Sequence, residues 1–348
     1  MGCRTCVVLV GFLAAEIQFA VEKVLFPCIR DDPSKEPTRP SPATSGGDLS
    51  RVHVVYGSDA ANFGGLLVSM LSLNAHLREP GNCSVHVIVP AADMERGERL
   101  LECFRHEVRM RPPAPERRQG TPEVVLHSMR PLGFNITGFS TSTGTTHHLV
   151  YTKFVLQDYL PSTPRALWLD TDTIVQADIA PLYRMPMAHP LAATMDYAFH
   201  SFEQHRPEMH ASTHDLVKNW KAPTFTTGVL LYNLERWRAG GFLGSLSTVA
   251  QQLSGYDGEQ MPMNIVFQDD FDYLEGRWNV IQPIAYLECS GWLTSRDCIQ
   301  KAWILHATGK RVKYWHAESN RLYDDLLEPY LPNATCEAWL QSWRNPVA

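Results

Sequence analysis

Ala166-Leu167-Trp168-Leu169-Asp170-Thr171-Asp172-Thr173-Ile174-Val175 is an apolar run that meets two carboxylates one residue apart and then turns apolar again. Its composition predicts a buried strand that delivers Asp170 and Asp172 to its carboxyl end. Open α/β sheets take ligands just beyond the carboxyl ends of their strands, and a carboxylate pair there can hold a divalent cation against a diphosphate. An Asp-x-Asp triplet is also a common solvated turn or helix cap. The apolar context favours the cation, because burying a carboxylate is costly unless a cation or several donors meet it.

Segments on both sides of this run fit an α/β domain. Arg51 to Tyr56 reads as a first strand that breaks at Gly57-Ser58-Asp59. Gly64 to His76 has Leu67, Met70, Leu71 and Leu73 at helical spacing, and Ser84 to Val89 reads as a second strand. Leu149 to Leu160 predicts a helix with Tyr151, Phe154, Val155 and Tyr159 near one face, leading into the acid-bearing strand. Leu191 to Met195 and Gly228 to Asn233 are further strands. Strands that appear singly between helices predict one α/β sandwich. The Thr-rich stretch from Thr141 to His148 reads either as surface decoration or as a lid on the acceptor side.

The chain has 348 residues, 44% hydrophobic and 20% charged, with a formal net charge of −6. That balance lacks the basic excess of a nucleic-acid surface, so no nucleic-acid partner is expected and any phosphate must be met locally. Residues 1–26 carry a short apolar core that reads as a signal peptide or signal anchor, hence a possible membrane tether; an amphipathic helix packed on the domain is the other reading. Residues 27–50 are a Pro-rich stem, and residues 51–348 the folded domain. Asn-x-Ser/Thr sequons at Asn82, Asn135 and Asn333 point to a secretory compartment, the Golgi or ER lumen. None of the cysteine spacings is a zinc pattern, leaving disulfides or buried thiols; Cys289 and Cys298, flanking a short loop, are the expected pair in an oxidising compartment.

In order along the chain, these segments resemble glycosyltransferase family 8, the group that includes glycogenin, galactinol synthase and bacterial lipopolysaccharide galactosyltransferases, over most of residues 51–315. The strongest block is Tyr151-Thr152-Lys153-Phe154, Tyr159, Leu167 to Val175, Asp178-Ile179 and Pro181-Leu182-Tyr183. Tyr56-Gly57-Ser58-Asp59 with Asn62-Phe63, Phe225 to Leu234, Glu259-Gln260 with Asn264, and His306, Gly309, Lys313 and Trp315 match further motifs.

The resemblance implies a GT-A fold: a single Rossmann-like α/β/α sandwich with a mixed central sheet. It also implies a retaining transfer of a hexose or pentose from a UDP-sugar to a glycan, protein or small-molecule acceptor. Asp170, Asp172 and His306 would hold Mn²⁺, with Mg²⁺ as the alternative. Tyr56, Gly57, Asp59, Asn62, Lys153, Thr171, Thr227, Gly309 and Lys313 would contact the donor, and Gln260 and Asp196 would act at the sugar. Two carboxylates with one imidazole suit Mn²⁺ better than Mg²⁺, and such a cation neutralises a departing diphosphate.

Three positions depart from the family: Thr226 stands in place of Asn, one extra residue separates Gly309 from Lys313, and Tyr314 stands in place of Pro. The rival readings are a non-catalytic nucleotide-sugar or glycan binder of the same fold, and a haloacid-dehalogenase-like phosphatase with Asp170 as nucleophile and Asp269 and Asp270 on a metal.

Overall fold

The structure, a computed structural model, describes residues 48–111, 118, 120–136, 148–196, 201–253, 256, 258–268, 270–281, 301–307, 324–336 and 338–339. The leader, most of the stem, Thr141 to His147, Asp269, Cys289, Cys298, Gly309, Lys313, Tyr314 and Trp315 lie outside the described residues.

Seven strands form the main sheet in the order β3-β2-β1-β4-β7-β6-β8: β1 (Val52–Gly57), β2 (Cys83–Val89), β3 (Glu123–Ser128), β4 (Arg165–Leu169), β6 (Leu191–Met195), β7 (Phe225–Asn233) and β8 (Asp272–Tyr273). β1 runs parallel to both β2 and β4, while β7 runs antiparallel to β4 and β6, so the sheet is mixed as expected. A second sheet orders β5 (Thr173–Val175), β10 (Ile304–His306) and β9 (Val280–Ile281). The chain leaves β1 toward β2 on one side, and β4 lies on the other. The order therefore reverses between β1 and β4, which is where α/β sheets leave a crevice at their carboxyl ends.

Both faces of the main sheet are covered. Val52, Val54, Tyr56, Leu167 and Leu169 pack on Leu67 and Leu71 of helix α1 (Phe63–His76) and on Leu100 and Phe104 of helix α2 (Met94–Met110). Val55, Ile88, Trp168, Leu230 and Tyr232 face Phe154, Trp237 and Phe267, and join Leu246 and Ala250 of α3 (Leu243–Leu253) and Met263 of α4 (Gln260–Val266). Each fully buried side chain of this size contributes about 1.5–3 kcal/mol by leaving water. Among the described residues, no helix is long and apolar enough to cross a membrane.

Two predicted elements differ in detail. The run Ala166 to Val175 is not one strand: β4 stops at Leu169, the chain turns through Asp170 to Asp172, and β5 joins the other sheet. The segment Leu149 to Tyr159 is a 3₁₀ helix over Leu149–Val155 followed by one α-turn, Leu156–Tyr159. Val150, Thr152 and Val155 are β-branched and poor in α-helices, and the Thr152 hydroxyl donates to the Leu149 carbonyl at 2.6 Å. Helix α2, which the sequence reading leaves unassigned, is tied by a Cys103–Cys336 disulfide to the C-terminal segment. Its Glu107 accepts from the Asn333 amide at 2.7 Å beside that bond.

Three histidines step across β1, β2 and β3. His53 Nδ1 lies 3.1 Å from His86 Nε2, and His86 Nδ1 lies 3.0 Å from His127 Nε2, with adjacent rings stacked. Burial, with His127 and His53 alongside, pushes His86 down to about 3. Burial and Arg51 lower His53 against the opposing pull of Glu123, and burial and Arg130 lower His127. The fold therefore binds fewer protons than the unfolded chain, whose imidazoles titrate near about 6.5. Stability is fully present above that value and is lost as pH falls toward the folded pKa. Urea midpoints between pH 7.5 and 5 are expected to report a loss of about 2 kcal/mol from His86 alone, and His86→Phe should flatten the slope. An unchanged slope in that variant would show that the ladder is not its source.

Candidate active site

The Asp170–Asp172 turn is held from three directions. The Asp170 amide donates to the Gly228 carbonyl on β7 at 2.8 Å, and Thr173 closes the turn with its amide and hydroxyl on the Asp170 carbonyl, at 3.2 and 2.8 Å. From α1, Ser69 Oγ meets Thr173 Oγ1 at 2.9 Å, and Ser72 Oγ accepts from the Val175 amide at 2.9 Å. From the second sheet, the Ala307 amide donates to the Asp172 carbonyl at 2.9 Å, and β10 pairs with β5 so that His306 lies opposite Thr173. The serines explain why a helix buried almost all round keeps polar residues: they latch β5.

That pairing brings His306 to the acids. Its Nε2 lies 3.1 Å from Asp172 Oδ1 and 3.9 Å from Asp170 Oδ2. One ligand atom from each of the three residues lies within 4.8 Å of the others, the one such group among the described residues. Ligands of a small divalent cation stand about 2.0–2.2 Å from it, so neighbouring ligand atoms lie roughly 3 Å apart or more. The three groups fit one.

Behind the acids lies a buried support. Trp168 Nε1 donates to Asp170 Oδ1 at 2.6 Å, and Lys153 Nζ reaches the same oxygen at 3.0 Å. Asp170 therefore keeps Oδ2 on the His306 side. Lys153, only 1% exposed, also reaches Glu259 Oε1 at 2.5 Å, and the Thr227 hydroxyl donates to that oxygen at 3.0 Å. Burial alone would push the Lys153 ammonium down; the Asp170 and Glu259 carboxylates together outweigh it and hold it above the usual lysine range.

Gln260 opens α4 with both ends of its amide held: Nε2 donates to Asp196 Oδ2 at 3.1 Å and Oε1 accepts from the Thr227 amide at 3.2 Å. Asp59 accepts from Asn62 Nδ2 at 2.8 Å in the turn after β1. Gly57 leaves space for the Trp168 ring, since a Cβ there would fall 2.7 Å from it. Thr171 is half-buried in the acid turn, and Thr226 is buried in β7.

Two residues expected to contact the donor are buried here and brace the site. Tyr56 is wholly buried, its hydroxyl accepting from Ser69 at 3.1 Å, and Lys153 is enclosed by its two carboxylates. The sequence reading misses Asn279, fully buried, whose Oδ1 lies 3.0 Å from His306 Nδ1. It also misses the roles of Trp168 and Glu259, which the motifs contain without showing what they touch. Asp270, which the phosphatase reading places on a metal, pairs instead with His189 at 2.6 Å in an exposed position.

An acid pair at the switch point of a mixed, two-layer-covered sheet, with a histidine brought in from a second sheet, defines a GT-A-fold protein. Solved structures agree in fold. The chain superposes on LgtC, a galactosyltransferase solved with donor and acceptor sugar analogs, with a TM-score of 0.56 at 20% identity over 83% of this chain and 99% of that one. It also superposes on the bifunctional glycosyltransferase WbbM with a TM-score of 0.62 at 19% identity, over 84% of this chain and 52% of that one. Residues 53–319 match the pattern of glycosyl transferase family 8, and the chain belongs to that family.

Among its relatives, "Probable galacturonosyltransferase-like 4" of Arabidopsis thaliana is 30% identical over 139 residues, 38% of this chain and 40% of the relative. "Probable galacturonosyltransferase-like 10" of the same plant is 24% identical over 75% of both chains. The match to the first of these thus spans about two fifths of the relative's length. The family match removes the phosphatase reading.

Proposed function

We propose that this chain is a metal-assisted, retaining glycosyltransferase that moves a hexose or pentose from a UDP-sugar to a glycan, protein or small-molecule acceptor. The observation that carries this is the convergence of Asp170, Asp172 and His306 at the sheet's switch point. Mn²⁺ suits that donor set, with Mg²⁺ as the alternative; when bound it would supply Lewis-acid neutralisation of the diphosphate. The chain's own residues do the rest. Lys153 and Trp168 fix the Asp170 rotamer from behind, so the ligand oxygens need no rearrangement when the donor arrives. Gly57, Asp59, Asn62, Thr171, Thr227, Gly309 and Lys313 are assigned to the donor.

Gln260 is proposed to orient the sugar rather than attack it. An amide is a weak nucleophile, and its oxygen already accepts from the Thr227 amide. Asp196, bonded to the Gln260 nitrogen, stabilises positive charge developing on the sugar ring, while the departing phosphate takes the acceptor's proton. The Cys103–Cys336 disulfide and the three sequons support a glycoprotein of the Golgi or ER lumen, with residues 1–26 as signal peptide or anchor and 27–50 as stem.

The test is UDP release by the purified protein from a panel of UDP-sugars, with and without Mn²⁺. One donor should give Mn²⁺-dependent release that is lost in Asp170→Asn/Asp172→Asn, and Gln260→Ala should lower it by about a hundredfold. Donor binding without turnover across an acceptor panel would favour the binding-only reading. Near-full activity in Gln260→Ala would sink the orienting role.

A further inference from the structure

We propose that Asn279 is a positioning residue that fixes which nitrogen of His306 faces the acids: its side-chain oxygen holds the imidazole proton on Nδ1 and leaves Nε2 turned toward Asp170 and Asp172. The inference rests on the reading of Asp170, Asp172 and His306 as a metal centre.

Asn279 is wholly buried at the end of the 3₁₀ turn Gly276–Asn279, immediately before β9. β9 runs parallel to β10, with Ile281 opposite His306, and this register brings the Asn279 side chain beside the histidine ring. Asn279 Oδ1 lies 3.0 Å from His306 Nδ1, while Asn279 Nδ2 has no partner among the described residues.

An amide oxygen accepts only, so facing Nδ1 it requires a proton on that nitrogen. The reverse arrangement, with Nδ2 toward a bare Nδ1, would place the neutral ring's proton on Nε2. That proton would point at Asp172 Oδ1, 3.1 Å away, and His306 would be a hydrogen-bond donor instead of a ligand.

Turning the ring over exchanges Nδ1 with Cδ2 and Nε2 with Cε1, so it would carry both nitrogens away from Asn279 and Asp172. The Cε1 edge lies close against Gly228, where a Cβ would fall 2.0 Å from it. Ligating histidines are generally oriented by a partner on their second nitrogen, and loss of that partner costs about ten- to a hundredfold in metal affinity. Asn279 is the group placed to do this.

Two measurements on the full-length protein test the assignment. The first is the ¹⁵N shift of His306 Nδ1 in the metal-free protein, assigned by its disappearance in His306→Gln. The second is Mn²⁺ affinity, followed by loss of the free-ion electron paramagnetic resonance signal.

The expected shift is that of a protonated Nδ1, whether or not Nε2 also carries a proton. Asn279→Leu, which keeps the volume but has no acceptor, should weaken Mn²⁺ about ten- to a hundredfold. Asn279→Asp, which keeps an acceptor, should retain it. In a His306→Ala background Asn279→Leu should add nothing.

An unprotonated Nδ1 overturns the proposal, as does equal loss of affinity in the Asp and Leu variants or an additive effect with His306→Ala. A protonated Nδ1 in a wild-type protein that takes up no Mn²⁺ would uphold the Asn279 assignment while removing the metal reading beneath it.

Discussion

Gly228→Ala is expected to abolish measurable Mn²⁺ uptake and to lower UDP release by about a hundredfold or more, the scale on which removal of a preorganised transition-state contact acts. The added Cβ would fall 2.0 Å from His306 Cε1, 2.5 Å from Nδ1 and 2.9 Å from Nε2, inside any tolerable contact. A flexible side chain could yield, but His306 is held at Nδ1 by Asn279 and through its backbone by the pairing of β10 with β5. The backbone of β7 is no freer to retreat, because the Gly228 carbonyl accepts from the Asp170 amide. Any shift that admits the methyl therefore displaces either the histidine or the first acid. The fold should survive, since most of β7 lies outside this contact. Far-UV circular dichroism beside Mn²⁺ binding and UDP release checks both halves; wild-type Mn²⁺ affinity in Gly228→Ala would show that His306 is not a ligand.

This contact also shows which parts of the site could be read from the chain. Asp170 and Asp172 were legible because both lie in one short run whose apolar flank announces a buried strand. β1, α1 and β2 were legible because their periodicities are local. His306 and Gly228 were marked only by resemblance to family motifs; that one is the cavity for the other emerges from the packing of two sheets. Asn279 gave no signal, because its partner is 27 residues away and nothing around it is periodic.

Lys153 was visible but its direction was not. The resemblance implies a donor contact for Lys153, while its place between Asp170 and Glu259, where it acts as a counter-ion, emerges only from the packing. The break within Ala166 to Val175 was hidden for a related reason. The apolar residues on either side of the acids are buried in both readings, and only the hydrogen bonds of the Asp170–Thr173 turn reveal that they belong to different sheets. The Cys103–Cys336 bond joins residues 233 apart, which spacing cannot predict.

The two readings of Lys153 make opposite predictions for Lys153→Met. A donor contact would leave stability intact and raise the KM for the UDP-sugar. The buried counter-ion seen here predicts instead a large loss of stability, because the substitution leaves Asp170 and Glu259 facing each other without the cation that both touch. Removing one partner of a buried pair costs about 3–5 kcal/mol. Here the lower end applies, since the Asp170 side chain is 31% exposed and water screens part of the repulsion. Turnover should fall as well, through kcat, because Asp170 Oδ1 would then be held by Trp168 alone. Adding Glu259→Gln removes the second uncompensated charge, and urea midpoints should recover most of the lost stability. Turnover should not recover, since Asp170 has regained no anchor. That split between a rescued fold and an unrescued rate distinguishes a residue that orders the acids from one that merely fills the core. A Lys153→Met protein of wild-type stability with only its donor KM raised would return the residue to the donor.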